Sequence, residues 1–497
     1  MATTTILGRG GKPIELHTGL FIDNKFIPSV TGSTLEVQNP YSGEVLATLA
    51  AAEAADVDVA VKSSSAAFGT WKSTPEKGKI LSRLGDLIER DAEIFGAIQA
   101  LDTGTAYNEA MFVDIPQPIQ NLQYFAGWSD KITGTAMDLP HGFGYTRREP
   151  LGVCAAIIPW NAPLMIAIWK LAPALATGNT LIIKMPELSP LAGQKLGELI
   201  VEAGFPAGAV NILCGFGKTA GQALAEHMTV RKISFTGSAT TGREVLRASA
   251  NSNLKKVSLE LGGKGPSIVF SDANLQNALF WTGLGMSANN GQICALGSRI
   301  YVQDTIYAEF IEQFQAQARA RPSVMGNPLE NETTKGPVVS KSQHDRVLSY
   351  LKKGQEEGAK VLVGGEGAPV GSSGFVENTI FVDVREDMTI VKEEIFGPVA
   401  TIHRFSTEKE VIAKANATEY GLSAAVFTDN VSRANRVAAA LESGQITINS
   451  WGMLSANMPF GGVKQSGFGR DMGEASLEGW TTLKSVKQWV LDDDDMA

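Results

Sequence analysis

Residues 153–185 read VCAAIIPWNAPLMIAIWKLAPALATGNTLIIKM and decide the fold of this 497-residue chain. The apolar run 153–158 stops at Pro159, residues 163–176 predict a helix, and residues 180–183 form the next apolar run. Continuous apolar strands that alternate with helices are typical of a parallel sheet covered on both faces. The stretch therefore predicts an α/β fold.

The same alternation extends along the chain on both sides of this stretch. Up to residue 260 it predicts a Rossmann-like, doubly wound sheet, whose ligands bind at the carboxyl ends of the strands. A second series of apolar strands, between residues 267 and 448, predicts a second α/β domain. Short strands between residues 20 and 50, a helical region over 51–106 and a helix over 110–128 precede both series.

The composition weighs against several classes of function. The net charge is −9, and no basic block offers the clustered cations that nucleic-acid binding needs. Three cysteines without a CxxC pair and five scattered histidines indicate neither a disulfide framework nor a metal site. Residues 1–13 lack the features of a targeting segment, and no run of about 18 apolar residues suits a membrane. We expect a cytoplasmic protein with no metal and with neither nucleic-acid nor membrane partners.

Cys294 ends the sequence GQIC and is the candidate nucleophile. A lone cysteine is more often a small buried hydrophobic residue. The polar, glycine-bearing surroundings of Cys294 instead favour a loop, from which a thiolate can attack an electrophile and form a covalent intermediate. Cys154 lies within an apolar strand and Cys214 ends one, so both are interpreted as structural.

Glu260 is the candidate base. It ends a predicted strand and is followed by LGGK, residues 261–264. A carboxylate at the carboxyl end of a strand faces the ligand crevice, where it can activate the water that cleaves a thioester. The alternative interpretation is an ion pair with Lys264.

Polar residues follow three further strands of the first series. Asn161 can donate its amide N–H to a developing oxyanion or, alternatively, cap the helix that follows. Glu187, three residues after Lys184, lies where Rossmann proteins bind the ribose hydroxyls of NAD. The segment GSATTG, residues 237–242, joins a strand to a helix and suits a pyrophosphate, although an ordinary turn fits it equally well.

Together these motifs resemble the aldehyde dehydrogenase superfamily, from about residue 20 to residue 487. Seven motifs stand in the family's order: Pro159-Trp160-Asn161, Lys184 with Glu187, Gly237-Ser238, Glu260-Leu261-Gly262-Gly263-Lys264, Gly291-Gln292-Ile293-Cys294, Glu394-Ile395-Phe396-Gly397-Pro398 and Pro459-Phe460-Gly461-Gly462. Any one of them can arise by chance, but seven in register can hardly do so.

The resemblance implies a role for each candidate residue. Cys294 is the nucleophile that attacks the aldehyde, Asn161 and the backbone N–H of Cys294 form the oxyanion hole, and Glu260 activates water to release the acid. The implied cofactor is NAD, with NADP as the alternative. The implied cofactor contacts are Ile157, Ile158, Pro159, Trp160, Lys184, Glu187, Gly217, Gly221, Phe235, Gly237, Ser238, Leu261, Glu394 and Phe396.

The expected substrate is a bulky, apolar aliphatic or aromatic aldehyde. Ala162 stands where many members of the family carry an aromatic residue, which predicts a pocket roomier than acetaldehyde needs. The candidate wall residues are Ala162, Met165, Trp169, Ile293, Trp451, Leu454 and Phe460.

The resemblance also implies three structural units and an oligomer. The units are a dinucleotide-binding domain of residues 1–128 and 149–259, a catalytic domain of residues 260–469, and a small β oligomerisation element of residues 129–148 and 470–497. The alternation in residues 143–146 suits a strand that extends a partner's sheet. A homodimer or homotetramer is therefore expected.

Two rival functions are weighed against this one. A CoA-acylating aldehyde dehydrogenase passes the acyl group to CoA rather than to water and generally lacks the base, so Glu260 counts against it. A non-catalytic structural protein on the same fold would be expected to have lost its nucleophile or oxyanion donor, yet Cys294 and Asn161 are both present.

Overall fold

A computed structural model describes residues 2–320 and 323–490 as an α/β protein with two large sheets. The first sheet has eight strands, in the spatial order Gly467–Phe468, Lys256–Glu260, Lys232–Thr236, Val153–Ile157, Thr180–Met185, Val210–Cys214, Leu20–Ile22 and Lys25–Ile27. Its five central strands are parallel, Gly467–Phe468 and Leu20–Ile22 run antiparallel to them at the two sides, and Lys25–Ile27 pairs antiparallel with Leu20–Ile22 at the edge.

The parallel strands confirm the predicted Rossmann-like sheet. From Val153–Ile157 the chain moves to one side through Thr180–Met185, and later it returns to the other side with Lys232–Thr236. Doubly wound sheets bind their ligands at such a switch point, beyond the carboxyl ends of the strands. Pro159 and Gly237 follow the two strands that flank it.

Burial explains why these strands read as continuous apolar runs. Every residue of Val153–Ile157 and of Thr180–Met185 is buried, because helices cover both faces of the sheet. Helix Pro163–Ala176 is also buried along its whole length, between the sheet and helix Pro116–Ala126. It therefore lacks the polar stripe of a surface helix.

The second sheet has seven strands, in the order Lys360–Val363, Thr379–Val382, Val399–Phe405, Arg299–Gln303, Pro266–Val269, Ser423–Phe427 and Gln445–Ile448. All neighbours are parallel except Lys360–Val363, which runs antiparallel to Thr379–Val382. The five strands predicted for this domain are present. The sequence analysis missed the other two, which lie at one edge.

The helical prediction for residues 51–106 needs correction, because this region contains three helices: Ala54–Ser73, Lys77–Arg90 and Ala92–Thr103. The other helices of eight residues or more are Leu191–Ala203, Ala239–Asn251, Leu275–Ser287, Tyr307–Ala320, Lys341–Glu356, Glu408–Asn416 and Val431–Ala440. Within residues 2–320 and 323–490, no helix is long and apolar enough to cross a membrane.

The predicted limits of the catalytic domain, residues 260 and 469, fall in or next to strands of the first sheet. Glu260 is the last residue of Lys256–Glu260 in the first sheet, and Gly467–Phe468 pairs back to that strand. Both had been placed in the catalytic domain, although their strands belong to the first sheet. The limits of the domains themselves stay a prediction.

A third sheet has three antiparallel strands, Thr481–Trp489, Gly142–Pro150 and Ala136–Leu139. It is built from the two segments predicted as the oligomerisation element. Residues 491–497 of that element lie outside the described residues. The predicted strand 143–146 is part of Gly142–Pro150, the central strand of this sheet. The prediction that this strand extends a partner's sheet is wrong, because both of its edges already pair within the chain.

Candidate active site

A cavity of about 250 Å³ opens at the switch point of the first sheet. It brings together the three predicted catalytic residues, Cys294, Glu260 and Asn161, which come from separate parts of the chain. The other lining residues are Pro159, Trp160, Ile166, Thr236, Gly237, Ser238, Leu261, Gly262, Gln343, Arg346, Glu394 and Phe396.

The backbone before Cys294 forms an unusual turn that determines where the sulfur lies. Asn289, Asn290 and Gly291 have φ values of +47°, +56° and +69°. Only glycine fits at residue 291, since a Cβ there would lie 2.0 Å from the carbonyl carbon of Gly397. The turn brings Cys294 to the cavity wall, where it is partly exposed.

Burial raises the pKa of the Cys294 thiol to about 12, and the negative charges of Glu394 and Glu260 act in the same direction. Burial also raises the pKa of Cys154 and of Cys214 to about 12. Those two residues are fully enclosed in strands, in agreement with their structural interpretation. Access to the cavity, rather than acidity, therefore distinguishes Cys294.

Asn161 connects the first sheet to the turn that carries Cys294. Its Nδ2 donates to the main-chain oxygen of Gln292 across 2.9 Å. Its own main-chain oxygen accepts from Gln99 Nε2 at 3.2 Å and from Asn289 Nδ2 at 3.1 Å. The alternative role as a helix cap is wrong, because Ala162 occupies the N-cap position.

Glu260 is 3% exposed, and neither of its carboxyl oxygens has a hydrogen-bond partner among the residues described. Burial raises the pKa of Glu260 well above its usual range; Asp471 adds to the effect, and Lys170 and Arg470 oppose it. The predicted alternative, an ion pair with Lys264, is not among the ion pairs of the described residues. A buried carboxyl group without partners is poised to exchange a proton with a ligand.

A buried ion pair, Lys170 with Asp471, influences Glu260. Lys170 is fully buried in helix Pro163–Ala176, and its Nζ donates to the carboxylate of Asp471. Both charges influence the pKa of Glu260, in opposite directions.

The residues after strand Lys232–Thr236 form the part of the cavity that suits a phosphate. Ser238 is the N-cap of helix Ala239–Asn251, and its Oγ accepts the backbone N–H of Thr241 at 3.2 Å. The backbone N–H groups of such a helix start favour an anion. The buried Thr236 hydroxyl has no hydrogen-bond partner in the described part of the chain. This donor set fits a dinucleotide.

The predicted ribose residues form a pair at the end of strand Thr180–Met185. Lys184 Nζ lies 2.9 Å from Glu187 Oε2; Lys184 is buried and Glu187 is partly exposed. Both residues lie outside the 250 Å³ cavity, and so do five other predicted cofactor contacts. Ile157, Ile158 and Phe235 are buried below the crevice, and Gly217 and Gly221 begin and end a helical turn that follows Val210–Cys214.

Glu394 and Phe396 close the opposite side of the cavity. Glu394 Oε1 accepts the backbone N–H of Gly263 at 3.0 Å, and burial raises the pKa of Glu394 to about 7. Gln343 Nε2 donates to the main-chain oxygen of Phe396 at 2.7 Å, and the Arg346 guanidinium donates to the main-chain oxygen of Glu394 at 2.9 Å. The helix that carries Gln343 and Arg346 therefore holds this loop in place.

The sequence analysis missed five cavity residues. Thr236 directly precedes the quoted motif Gly237-Ser238, and Gly262 lies within the quoted motif of residues 260–264, so both motifs were a usable signal. Ile166, Gln343 and Arg346 lie on helices, where nothing in the local sequence distinguishes them from other helical residues.

The predicted substrate residues do not line the 250 Å³ cavity. Ala162, Met165, Trp169 and Phe460 are buried together in one apolar cluster, against which Cys294 and Leu454 pack. The rings of Trp169 and Phe460 have centroids 5.0 Å apart.

Ile293 and Trp451 lie apart from that cluster. Ile293 lines a small separate void beside Lys264 and Glu394. Trp451 donates its indole N–H to the Ala295 oxygen at 3.0 Å and packs against Gly285. Gln117, which the sequence analysis missed, donates to the Leu454 oxygen at 3.3 Å and joins two sides of this region.

The position of Cys294, facing the end of the sheet where dinucleotides bind, fits the class of dinucleotide-dependent enzymes that work through a cysteine. Comparison with known proteins gives the family. The model of the aldehyde dehydrogenase family matches residues 26–486. An aldehyde dehydrogenase of Alternaria alternata is 48% identical over 477 residues, which cover 95% of each chain.

Solved structures agree with the sequence comparison. The NAD⁺ complex of an aldehyde dehydrogenase from Bacillus cereus superposes with a TM-score of 0.93 at 41% identity, over 96% of this chain and 97% of that one. An indole-3-acetaldehyde dehydrogenase of P. syringae gives 0.93 at 38% identity, over 96% and 97%. The chain belongs to the aldehyde dehydrogenase family, whose members are oxidoreductases.

Proposed function

We propose that the protein oxidises an aldehyde to a carboxylic acid with NAD⁺, through a covalent adduct on Cys294. The observation that carries this proposal is one cavity in which Cys294, Asn161 and Glu260 face the phosphate-binding turn at Gly237 and Ser238. The NAD⁺ complexes of related aldehyde dehydrogenases support the choice of cofactor.

The first half of the reaction forms the adduct. The Cys294 sulfur, as a thiolate, attacks the carbonyl carbon, and the former carbonyl oxygen becomes an oxyanion. The second N–H of the Asn161 amide and the backbone N–H of Cys294 donate to that oxygen. NAD⁺ supplies a positively charged ring that accepts the hydride from the adduct carbon, and the adduct thereby becomes a thioester.

The second half releases the product. Glu260 in its carboxylate form takes a proton from a water molecule, which attacks the thioester and returns Cys294 to its free form. The raised pKa of Glu260 suits this role, because a stronger base accepts the proton more readily. A CoA-acylating enzyme needs no such base.

The ion pair of Lys184 and Glu187 favours NAD over NADP. The carboxylate of Glu187 suits ribose hydroxyls and repels a 2′-phosphate. Lys184, the nearby cation, already pairs with Glu187 at 2.9 Å and so is not free to neutralise that phosphate.

A bulky apolar aldehyde is the substrate class that the apolar cluster supports best. Ala162, Trp169 and Phe460 belong to the apolar cluster against which Cys294 packs, and an alanine adds less volume to it than an aromatic side chain would. One structurally similar protein is named for indole-3-acetaldehyde, an aromatic aldehyde. A higher kcat/KM for phenylacetaldehyde and hexanal than for acetaldehyde is expected.

A second copy of the chain is the proposed partner of the three-stranded sheet. Its strands expose Met137, Phe143, Tyr145, Leu483 and Trp489, and a groove of about 860 Å³ lies beside it. A dimer or tetramer would cover this apolar surface. Light scattering should give two or four times the chain mass of 52.8 kDa. The cytoplasmic location stays a prediction.

Glu260→Gln tests the mechanism. Gln has nearly the same shape but cannot take a proton, so the first turnover should still release NADH in a burst, while steady-state turnover falls by about 10²–10⁴-fold. Unchanged steady-state turnover would remove Glu260 from the mechanism. If adding CoA restored the steady-state rate of the variant, the acyl group would pass to CoA rather than to water. If the native protein formed no NADH from any aldehyde, a structural role would be favoured.

A further inference from the structure

We propose that Glu109 is a positioning residue for the nucleophile loop, residues 289–294, and that it acts by holding the backbone N–H of Asn289. The inference rests on the proposed function, in which Cys294 and Asn161 carry out the reaction. Glu109 lies outside the catalytic cavity, so any effect on the reaction passes through the loop.

The nucleophile loop needs such support because its backbone is strained. Asn289 and Asn290 are consecutive non-glycine residues in the left-handed region. Side chains disfavour this conformation, and it persists where neighbouring groups fix it. Asn290 Nδ2 donates to the Pro337 oxygen at 3.1 Å, and Gln292 Oε1 accepts the backbone N–H of Val339 at 3.0 Å. These bonds support the far side of the loop.

Glu109 and Thr105 support the near side, where the loop begins. Glu109 Oε1 accepts the backbone N–H of Asn289, and the Thr105 hydroxyl donates to Asn289 Oδ1 at 2.7 Å. Asn289 in turn donates its Nδ2 to the Asn161 oxygen at 3.1 Å. A single residue therefore connects Glu109 to the residue that supplies the oxyanion donor.

The strength of this support depends on the charge of Glu109. A carboxylate accepts a backbone N–H more strongly than a neutral carboxylic acid does. Burial raises the pKa of Glu109 to about 7, and the Asn289 N–H and the charge of Lys335 oppose that rise. Burial lowers the pKa of Lys335 to about 7 and raises that of Asp114, the other charged group that faces Glu109.

The sign of the pH effect follows from these directions. Above about pH 7 Glu109 is a carboxylate and holds the loop firmly; below it, the protonated acid holds the loop less well. Glu109→Gln offers a neutral oxygen at every pH, so it should resemble the native protein at pH 6 and be inferior at pH 8.5. Titrating groups that do not interact with Glu109 act on both proteins equally and cancel in the ratio of their rates, whereas Lys335 and Asp114, which do interact with it, shift the midpoint of that ratio.

The test is the ratio of native kcat to Glu109→Gln kcat between pH 6 and pH 8.5, with saturating NAD⁺ and hexanal. We expect the ratio to rise from about 1 to about 5–10, with a midpoint near pH 7, and Glu109→Ala to be slower than native at both ends. The matched control is Glu89→Gln, an exposed glutamate, whose ratio should stay near 1. A ratio that is independent of pH, whether near 1 or uniformly raised, overturns the proposal.

Alkylation of Cys294 by iodoacetamide separates this proposal from the proposed function. A loosened loop exposes the thiol, so Glu109→Gln should react several-fold faster than the native protein at pH 8.5 and at the same rate at pH 6. This measurement, made by intact-protein mass, needs no turnover. If the native protein oxidises no aldehyde, the proposed function fails while alkylation still decides the role of Glu109; equal alkylation rates at both pH values would overturn that role.

Discussion

The amide nitrogen of Asn161 donates to the main-chain oxygen of Gln292 across 2.9 Å. Asn161 follows a strand of the first sheet, and Gln292 lies two residues before Cys294 in a loop next to the second sheet. The bond therefore fixes the distance between the proposed oxyanion donor and the nucleophile. Because a side-chain amide has two N–H groups, one is left for the substrate.

Asn161→Ala should lower kcat by about 10²–10³-fold, the usual effect of losing one oxyanion donor. The KM for NAD⁺ should change little, because the backbone of residue 161 also accepts from Gln99 and Asn289, and these bonds survive the substitution. Steady-state NADH absorbance measures both constants. Asn435→Ala, at an exposed asparagine, is the control. A kcat within threefold of the native value would exclude Asn161 as a donor.

The raised pKa of Cys294 predicts a slow thiol in the free protein. A thiol reacts as its thiolate, and with a pKa of about 12 the thiolate fraction rises about tenfold per pH unit between pH 7 and pH 10. Iodoacetamide modification, followed by intact mass, should show the same slope. NAD⁺ should accelerate it, because a nearby positive charge favours the thiolate, whereas NADH should not.

Cys294→Ser supplies the blank for this measurement, since Cys154 and Cys214 are enclosed and should not react. A rate that levels off below pH 8 without NAD⁺ would show that the thiol is already ionised in the free protein.

Much of the fold was predictable because a strand that is buried on both faces appears in the sequence as a continuous apolar run. Val153–Ile157 and Thr180–Met185 are apolar at nearly every position for that reason. The breaks between the helices of residues 51–106 were harder to predict. Lys77–Arg90 is separated from the next helix only by Asp91, whose backbone is not helical.

The site was predictable only where its residues end strands or adjoin glycine-rich turns. Cys294, Glu260 and Asn161 satisfied that condition, and the structure brings all three to one cavity. Glu109 and Arg346 act from helices on residues about 180 and 48 positions away along the chain. These contacts cannot be predicted from local sequence, because they arise only when segments that are distant along the chain fold together.

The ion pair of Lys170 and Asp471 predicts a large loss of stability when only one partner is removed. Both side chains are buried, so Asp471→Asn leaves an uncompensated ammonium in the interior, which typically costs about 3–5 kcal/mol. The midpoint temperature of thermal unfolding should fall clearly for Asp471→Asn, and it should fall by a similar amount for Lys170→Met. The double variant Lys170→Met with Asp471→Leu should recover much of the loss. If the single variants melt at the native temperature, the pair is not buried in the folded protein.

Ala162→Phe tests whether the apolar cluster receives the substrate. The larger ring would add volume to the apolar cluster that contains Trp169 and Phe460, so kcat/KM for phenylacetaldehyde should fall by at least about tenfold, while that for acetaldehyde should change by less than threefold. Extra volume in a packed core also strains it by about 1–3 kcal/mol, so thermal unfolding must be measured alongside. Ala167→Ser, on the same helix, is the control for a general disturbance of that helix. Equal losses for both aldehydes in a stably folded variant would move the substrate site away from Ala162.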